Sequence, residues 1–493
     1  MMLDDYTSFA SFFSVYYSLR LMWSTHIFSH LEYDQIFLLF SLLFASLVIT
    51  ILITFSSSLL YFKCMIKRFI RIQLFKQRFN PNCRLLATDV IATLYENVLC
   101  DIQMANNVLL AKILEKNQFC SFYRDRSIHC LSSFASIDEF REKISLTTYD
   151  DYSEYVDRMI VNGENNVLTS NKIVYFVTSS GTTGHKKLIP RSTSTLKADT
   201  MAFNIGLYRI LMSLRSPFPL PEQRLFTLSS GKKLSKFEKS KNGIPIGALS
   251  LCRSTSFLNV LEKFALSFGD ILPFDLMSKI SDFETSAFIQ LVFALTIPDL
   301  YGYIVFFAPS FIHSIKMIKD YFEEICSCIS TANFDHSSIV RKNILTSNLK
   351  IKLNQALTEV AIEYGGLKYR LKRAEYIRKE CMKEDTSAIL HRLWPNLVYA
   401  STILGGSFSM YKKEIQSYCG INLPLINLGM YVASESGYGN LASIYTDEYF
   451  LLPTNVFFEF IREENIHEVS KLSLLLFTRK IYFALFRFNQ RLF

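Results

Sequence analysis

From Ile36 to Phe62 the chain runs for 27 residues without a charged side chain. About 20 apolar residues suffice to cross the hydrocarbon core of a bilayer as a helix. The pattern therefore predicts one transmembrane helix over 36–62. The stretch begins too far along the chain, and runs too long, for a cleaved signal peptide. Residues 9–31 are rich in aromatics, but Arg20, His26 and His30 argue against a second span. Further on, Val90, Ile91, Leu94, Tyr95, Val98, Leu99 and Ile102 recur at three- and four-residue steps, which predicts an amphipathic helix over 88–117. Ser136 is a candidate cap for a short helix running through Arg141. The compact apolar run Ile173–Thr178 reads as a buried strand that ends in a glycine-rich loop. Residues 229–247, rich in Lys and Gly, read as an exposed loop. Long helical segments are expected at 310–330 and 345–383, and strand–loop–strand structure from Leu397 to Phe460. Helices alternating with apolar strands predict an α/β body.

Composition changes little in this picture. In 493 residues, 50% hydrophobic and 20% charged content excludes a disordered chain. The net charge of +9 is unevenly spread. Residues 1–62 are net acidic. Residues 63–80 hold Lys63, Lys67, Arg68, Arg71, Lys76 and Arg78 without an acid. The tail adds Arg479, Lys480, Arg487 and Arg491, which leaves 81–478 close to neutral. A nucleic-acid partner would need a basic stripe on the folded body, so that class is excluded. The basic collar after the span puts the large C-terminal part in the cytosol. The expected plan is a non-cytosolic segment 1–35, a span 36–62, a juxtamembrane segment 63–80, a body 81–478 and a basic tail 479–493. The lipid bilayer is then a partner through a single pass, in the endoplasmic reticulum or another endomembrane. The ten Cys are scattered, and Cys326 and Cys328 lack the spacing of a zinc or redox motif. They are expected to be small buried hydrophobes.

The segment richest in chemistry is Ser179-Ser-Gly-Thr-Thr-Gly-His-Lys-Lys-Leu-Ile-Pro190, directly after the strand. Alternating hydroxyls and glycines let backbone N–H groups and Oγ atoms wrap a phosphate, and a nearby Lys neutralises charge. Gly181 and Gly184 are too close together for a Walker A loop. From composition alone an ordinary polar turn stands beside the phosphate reading. The order of residues adds a resemblance. Ser-Ser-Gly-Thr-Thr-Gly-x-x-Lys resembles the phosphate loop of adenylate-forming enzymes, and more narrowly that of the auxin-responsive Gretchen Hagen family of acyl-acid amido synthetases. Upstream, Ile113–Gln118, Ser136–Arg141, Leu146–Tyr152 and Arg158–Gly163 resemble that family's approach to the loop, in the same order. Downstream, Gly243-Ile-Pro-Ile-Gly247, Leu393-Trp-Pro-Asn396 and Tyr431-Val-Ala-Ser-Glu435 resemble later family motifs. The likeness covers about residues 88–460.

The resemblance implies the large N-terminal domain of the adenylate-forming fold over 81–478, with ATP and Mg²⁺ as cofactors and a carboxylic acid and an amine or amino acid as substrates. Ser180, Gly181, Thr182, Thr183, Gly184 and Lys187 would hold the phosphates, with Lys186 the alternative to Lys187. Ser434 would touch the α-phosphate and Glu435 would ligate Mg²⁺. Tyr431 would sit beside the adenine, and Gly405, Gly406 and Ser407 would line the adenine and acyl pocket. The bland alternatives are a solvated loop acid, a core Tyr and a simple turn. After Thr478 the family's Gly-Asp motif and its small C-terminal domain have no counterpart in the sequence. The expectation is therefore a truncated, membrane-anchored relative. Two readings stand: a ligase impaired by that loss, and a catalytically inactive anchored binding or scaffold protein that retains the fold.

Overall fold

The computed structural model describes residues 60–66, 68–69, 101–126, 140, 147–179, 187–196, 198–199, 213–214, 223–228, 238–249, 271, 274–277, 279–280, 282–340, 345–446, 448–453, 455–459 and 481–482. The chain divides into two compact units, Met1–Ile66 and Lys67–Phe493. In the first, residues 60–66 are helical. The rest of the predicted span 36–62 lies outside the described residues, among which no helix is long and apolar enough to cross a membrane. The first half of the helix predicted over 88–117 and the short helix after Ser136 also lie outside them, apart from a buried, helical Phe140.

The second unit is built on a parallel sheet of order β3-β6-β7-β8, comprising β3 (Arg224–Leu228), β6 (Leu300–Phe307), β7 (Tyr399–Ile403) and β8 (Leu425–Asn427). Phe226, Leu228, Tyr303, Val305 and Ala400 turn to one face, where the largest apolar cluster lies. The helices packed there include α4 (Phe283–Thr296), α5 (Ala308–Asp320), α6 (Phe322–Thr331), α7 (Ser347–Ile362), α8 (Gly366–Cys381), α9 (Ile389–Leu393) and α10 (Lys412–Cys419). Tyr301, Ile304, Tyr399 and Ile426 turn to the other face and meet Leu441, Val432 and Tyr449. Those residues belong to an antiparallel sheet of β9 (Met430–Val432), β10 (Gly437–Leu441) and β11 (Tyr449–Leu451), or flank it. The α/β expectation holds.

A second four-stranded sheet, β2-β1-β5-β4, carries the glycine-rich loop. Here β1 (Ile173–Thr178) lies where the apolar run predicts it, pairs antiparallel with β2 (Leu188–Ser192), and runs parallel to β5 (Pro245–Gly247). Tyr175, Val177 and Ile189 pack against Leu110 and Leu114 of α1 (Ile102–Asn117), with α2 (Ser121–Asp125) and α3 (Asp150–Asp157) beside it. The stretch predicted as loop at 229–247 is corrected: β4 (Glu238–Lys239) and β5 form a hairpin within it. The helix expected at 345–383 is two, because Gly365 and Gly366 take φ of +118° and +65°, a left-handed turn that glycine adopts without Cβ strain. In the tail, Ile481–Tyr482 (β13) pairs parallel with Phe458–Glu459 (β12).

Helix α4 positions this whole layer. From Thr285 to Thr296 every residue is buried. Its N-terminus is capped by Asp282, whose carboxylate accepts from the Thr285 backbone N–H at 2.9 Å. Its C-terminal carbonyls are taken up from α8 and from the residue after α9. Tyr369 donates to Thr296 at 2.6 Å, the Trp394 indole to Ile297 at 3.0 Å, and the Arg373 guanidinium to Leu295, Ile297 and Leu393 at 2.8, 3.3 and 3.1 Å. Burial lowers the Arg373 pKa, because the charged form gives up water. The scattered thiols Cys326, Cys328 and Cys419 are buried as expected, and burial pushes each up to about 12.

Arg373→Met keeps the aliphatic stem but removes a charged donor from three buried carbonyls. Stability should fall by about 2–4 kcal/mol, the scale of lost charged hydrogen bonds that leave acceptors unsatisfied. Urea unfolding followed through buried Trp394, one of only two tryptophans, measures it. A loss below about 1 kcal/mol would show the cap to be dispensable.

Candidate active site

Two hairpin tips make the site. The first is the loop between β1 and β2. At its neck the Ser179 N–H donates to the Lys187 carbonyl at 3.0 Å, and the Lys187 N–H donates to Ser179 Oγ at 3.1 Å. These bonds close the neck of the hairpin just beyond its last strand pair, Thr178 with Leu188. Ser180, Gly181, Thr182, Thr183 and Gly184 lie outside the described residues, as does Lys186. Lys187 is half-buried where the loop rejoins β2.

The second tip joins β9 to β10, closed by the Ala433 N–H donating to the Ser436 carbonyl at 3.0 Å. It presents Ser434 and Glu435. Burial raises the Glu435 carboxyl above its usual range, while the charges of Lys187 and Arg191 pull the other way. A half-buried carboxylate is not the solvated loop acid of the bland reading. Its own backbone N–H donates to it, and among the described residues no side chain does.

Sequence reasoning missed what joins the tips. Arg191, on β2 four residues beyond Lys187, has a side chain only 2% exposed. One terminal nitrogen donates to the Glu435 carbonyl and reaches the Ser434 carbonyl at 3.5 Å. The other pairs with the carboxylate of Asp199. The second Asp199 oxygen accepts from the Gly437 N–H at 2.9 Å and from Ser436 Oγ at 3.2 Å. The available signal was a charged residue in an otherwise apolar strand just past the loop.

Tyr431 lies on β9 opposite Gly439, with its ring 5.4 Å from Tyr438 and 5.7 Å from Tyr449. It is half-buried, two residues before the tip, and burial raises its pKa. Gly405, Gly406 and Ser407 form the turn at the carboxyl end of β7, where Gly406 has φ +58° and a 3₁₀ turn leads into α10. Ligands of open parallel sheets bind at such carboxyl ends. Asn427, at the end of β8, accepts from the Leu404 N–H at 2.9 Å and the Leu428 N–H at 3.0 Å. That residue ties the glycine turn to the strand entering β9. The structure thus joins Lys187, Ser434 and Glu435 through Arg191, and links the 405–407 turn to the chain that carries Tyr431.

Comparison with known proteins bears on the family and the fold. The profile of the GH3 family N-terminal domain matches residues 91–425. An indole-3-acetic acid-amido synthetase of Arabidopsis thaliana, GH3.15, is 27% identical over 390 residues, covering 76% of this chain and 59% of that protein. A jasmonoyl–L-amino acid synthetase of Oryza sativa subsp. japonica, GH3.5, is 25% identical over 379 residues, covering 74% and 59%. The solved AtGH3.15 acyl acid amido synthetase in complex with 2,4-DB shares the fold, with a TM-score of 0.60 at 24% identity over 74% of this chain and 59% of that one. The chain spans about 59% of the length of these relatives. With the family profile covering most of the body, the chain belongs to the GH3 family.

Proposed function

We propose that the chain carries the acid-activating chemistry of an ATP-dependent acyl acid amido synthetase. The observation that supports it most is that one buried arginine braces the backbone of the Ser434–Glu435 tip against the strand that begins just after Lys187. ATP phosphates would lie in the loop 180–184, with backbone N–H groups and Lys187 offsetting their charge. The Glu435 carboxylate fits Mg²⁺: it is half-buried, and its hydrogen-bond donor is its own backbone N–H, with no side chain among the described residues donating to it. A single protein carboxylate suits an ion that fills its other positions with phosphate oxygens and water. Bound Mg²⁺ would neutralise phosphate charge. Ser434 would orient the α-phosphate, and the half-buried ring of Tyr431 would offer a flat face to the adenine.

In the first step a carboxylate oxygen of the acid bonds to the α-phosphorus as the bond to pyrophosphate breaks. In the second an amine nitrogen bonds to the acyl carbon, AMP leaves with the electron pair, and the amine gives up a proton. The relatives are named for indole-3-acetic acid and for jasmonoyl–L-amino acid, and a carboxylic acid and an amino acid are the substrate classes assigned to this chain. We further propose that 36–62 anchors this body to an endomembrane from its cytosolic side. The uncharged stretch and the basic collar at 63–80 support that topology.

Acid-dependent exchange of labelled pyrophosphate into ATP tests the activity. Exchange is expected with at least one acid from an aromatic and aliphatic panel. Glu435→Gln should lower it by about 100-fold or more, the scale of losing one preorganised electrostatic contact. Nucleotide binding without exchange for any acid would favour the inactive binding protein. Glycosylation reporters test the anchor: an N-terminal reporter should be modified and a C-terminal one unmodified. The reverse pattern would overturn the topology.

A further inference from the structure

We infer that Arg191 and Asp199 are positioning residues that hold the 434–437 tip in register with Lys187. The inference rests on the functional reading above and deepens it. Among the described residues, the hydrogen bonds between the β1–β2 hairpin region and this tip all run through the pair. Arg191 takes the carbonyls of Ser434 and Glu435, and Asp199 takes the Gly437 N–H and the Ser436 hydroxyl. Consecutive residues across the whole tip are therefore fixed by two side chains, one on β2 and one in the helical residues that follow it.

Stability alone is a poor reason for such a pair. Removing two charges from water costs about as much as their attraction returns, and well-packed apolar residues usually do as well. What an ion pair adds is a fixed geometry. Here the geometry concerns segments 243 residues apart in sequence, one carrying Lys187 and the other Glu435. Arg191 spends both terminal nitrogens on the brace. Asp199 spends both oxygens on the brace, and the Arg191 Nε has no hydrogen-bond partner. They act through the backbone of the tip, as outer-shell groups orient a ligand.

The test is titration calorimetry of the full chain with ATP, in EDTA and in Mg²⁺, beside circular dichroism. The quantity read is the gain in affinity that Mg²⁺ brings. Wild type should show a clear gain, and Glu435→Gln should lose it. Arg191→Met should lose it by about 10- to 100-fold, typical of outer-shell partners, with affinity in EDTA nearly unchanged. Asp199→Asn keeps the shape and one acceptor, and should show a smaller loss with its fold intact. Arg191→Lys should restore part of the gain. Arg191→Met combined with Glu435→Gln should lose no more than Glu435→Gln alone. A folded Arg191→Met or Asp199→Asn chain with the full gain would overturn this inference while leaving the functional reading. A wild-type chain that binds no nucleotide would remove both.

Discussion

A guanidinium buried in protein must find acceptors for its N–H groups and a negative charge nearby, since water no longer supplies either. The terminal nitrogens of Arg191 meet that demand with the Asp199 carboxylate and two backbone carbonyls of the β9–β10 tip. The demand shapes the site. It fixes a hairpin from the C-terminal part of the chain against a hairpin whose loop precedes β2. The charges of Lys187, at the loop neck, and of Arg191 both favour the ionised form of Glu435. The arrangement of the candidate site thus follows from one buried cation.

Around that brace the layers play separate roles. The parallel sheet offers its carboxyl ends, where the Gly405–Ser407 turn sits, and Asn427 locks two of those ends together through backbone N–H groups. Helix α4 holds the sheet from behind, and its last carbonyls are satisfied by Tyr369, Arg373 and Trp394. Both regions use the same rule. Polar backbone groups that secondary structure leaves open are closed by long side chains reaching in from distant elements. Rigidity at the helix layer and alignment at the two tips then come from one kind of contact.

What was legible in the sequence follows from how local each cause is. Strand β1 could be read because a continuous apolar run ends at serines and glycines, and its loop could be read because the order of hydroxyls and glycines is specific. Helix α4 could not, since a helix buried on all sides has no polar face and therefore no 3.6-residue pattern. The break between α7 and α8 was signalled only by two adjacent glycines inside an otherwise helical stretch. Strands β4 and β5 are too short to show alternation. Lys187, Ser434 and Glu435 were found by motif, whereas Arg191 and Asp199 escaped. Their meaning lies in a loop more than two hundred residues away, and no local pattern encodes a partner at that separation.

The central claim is that these tips activate a carboxylic acid on ATP rather than merely binding nucleotide. It is tested most directly by following the acid's own oxygen. When the acid is labelled with oxygen-18 in its carboxylate, and amine and Mg·ATP are supplied, attack at the α-phosphorus carries one carboxylate oxygen into AMP. The account predicts AMP labelled at the phosphate, formed together with pyrophosphate. Unlabelled AMP, or ADP and phosphate as the products, would contradict it.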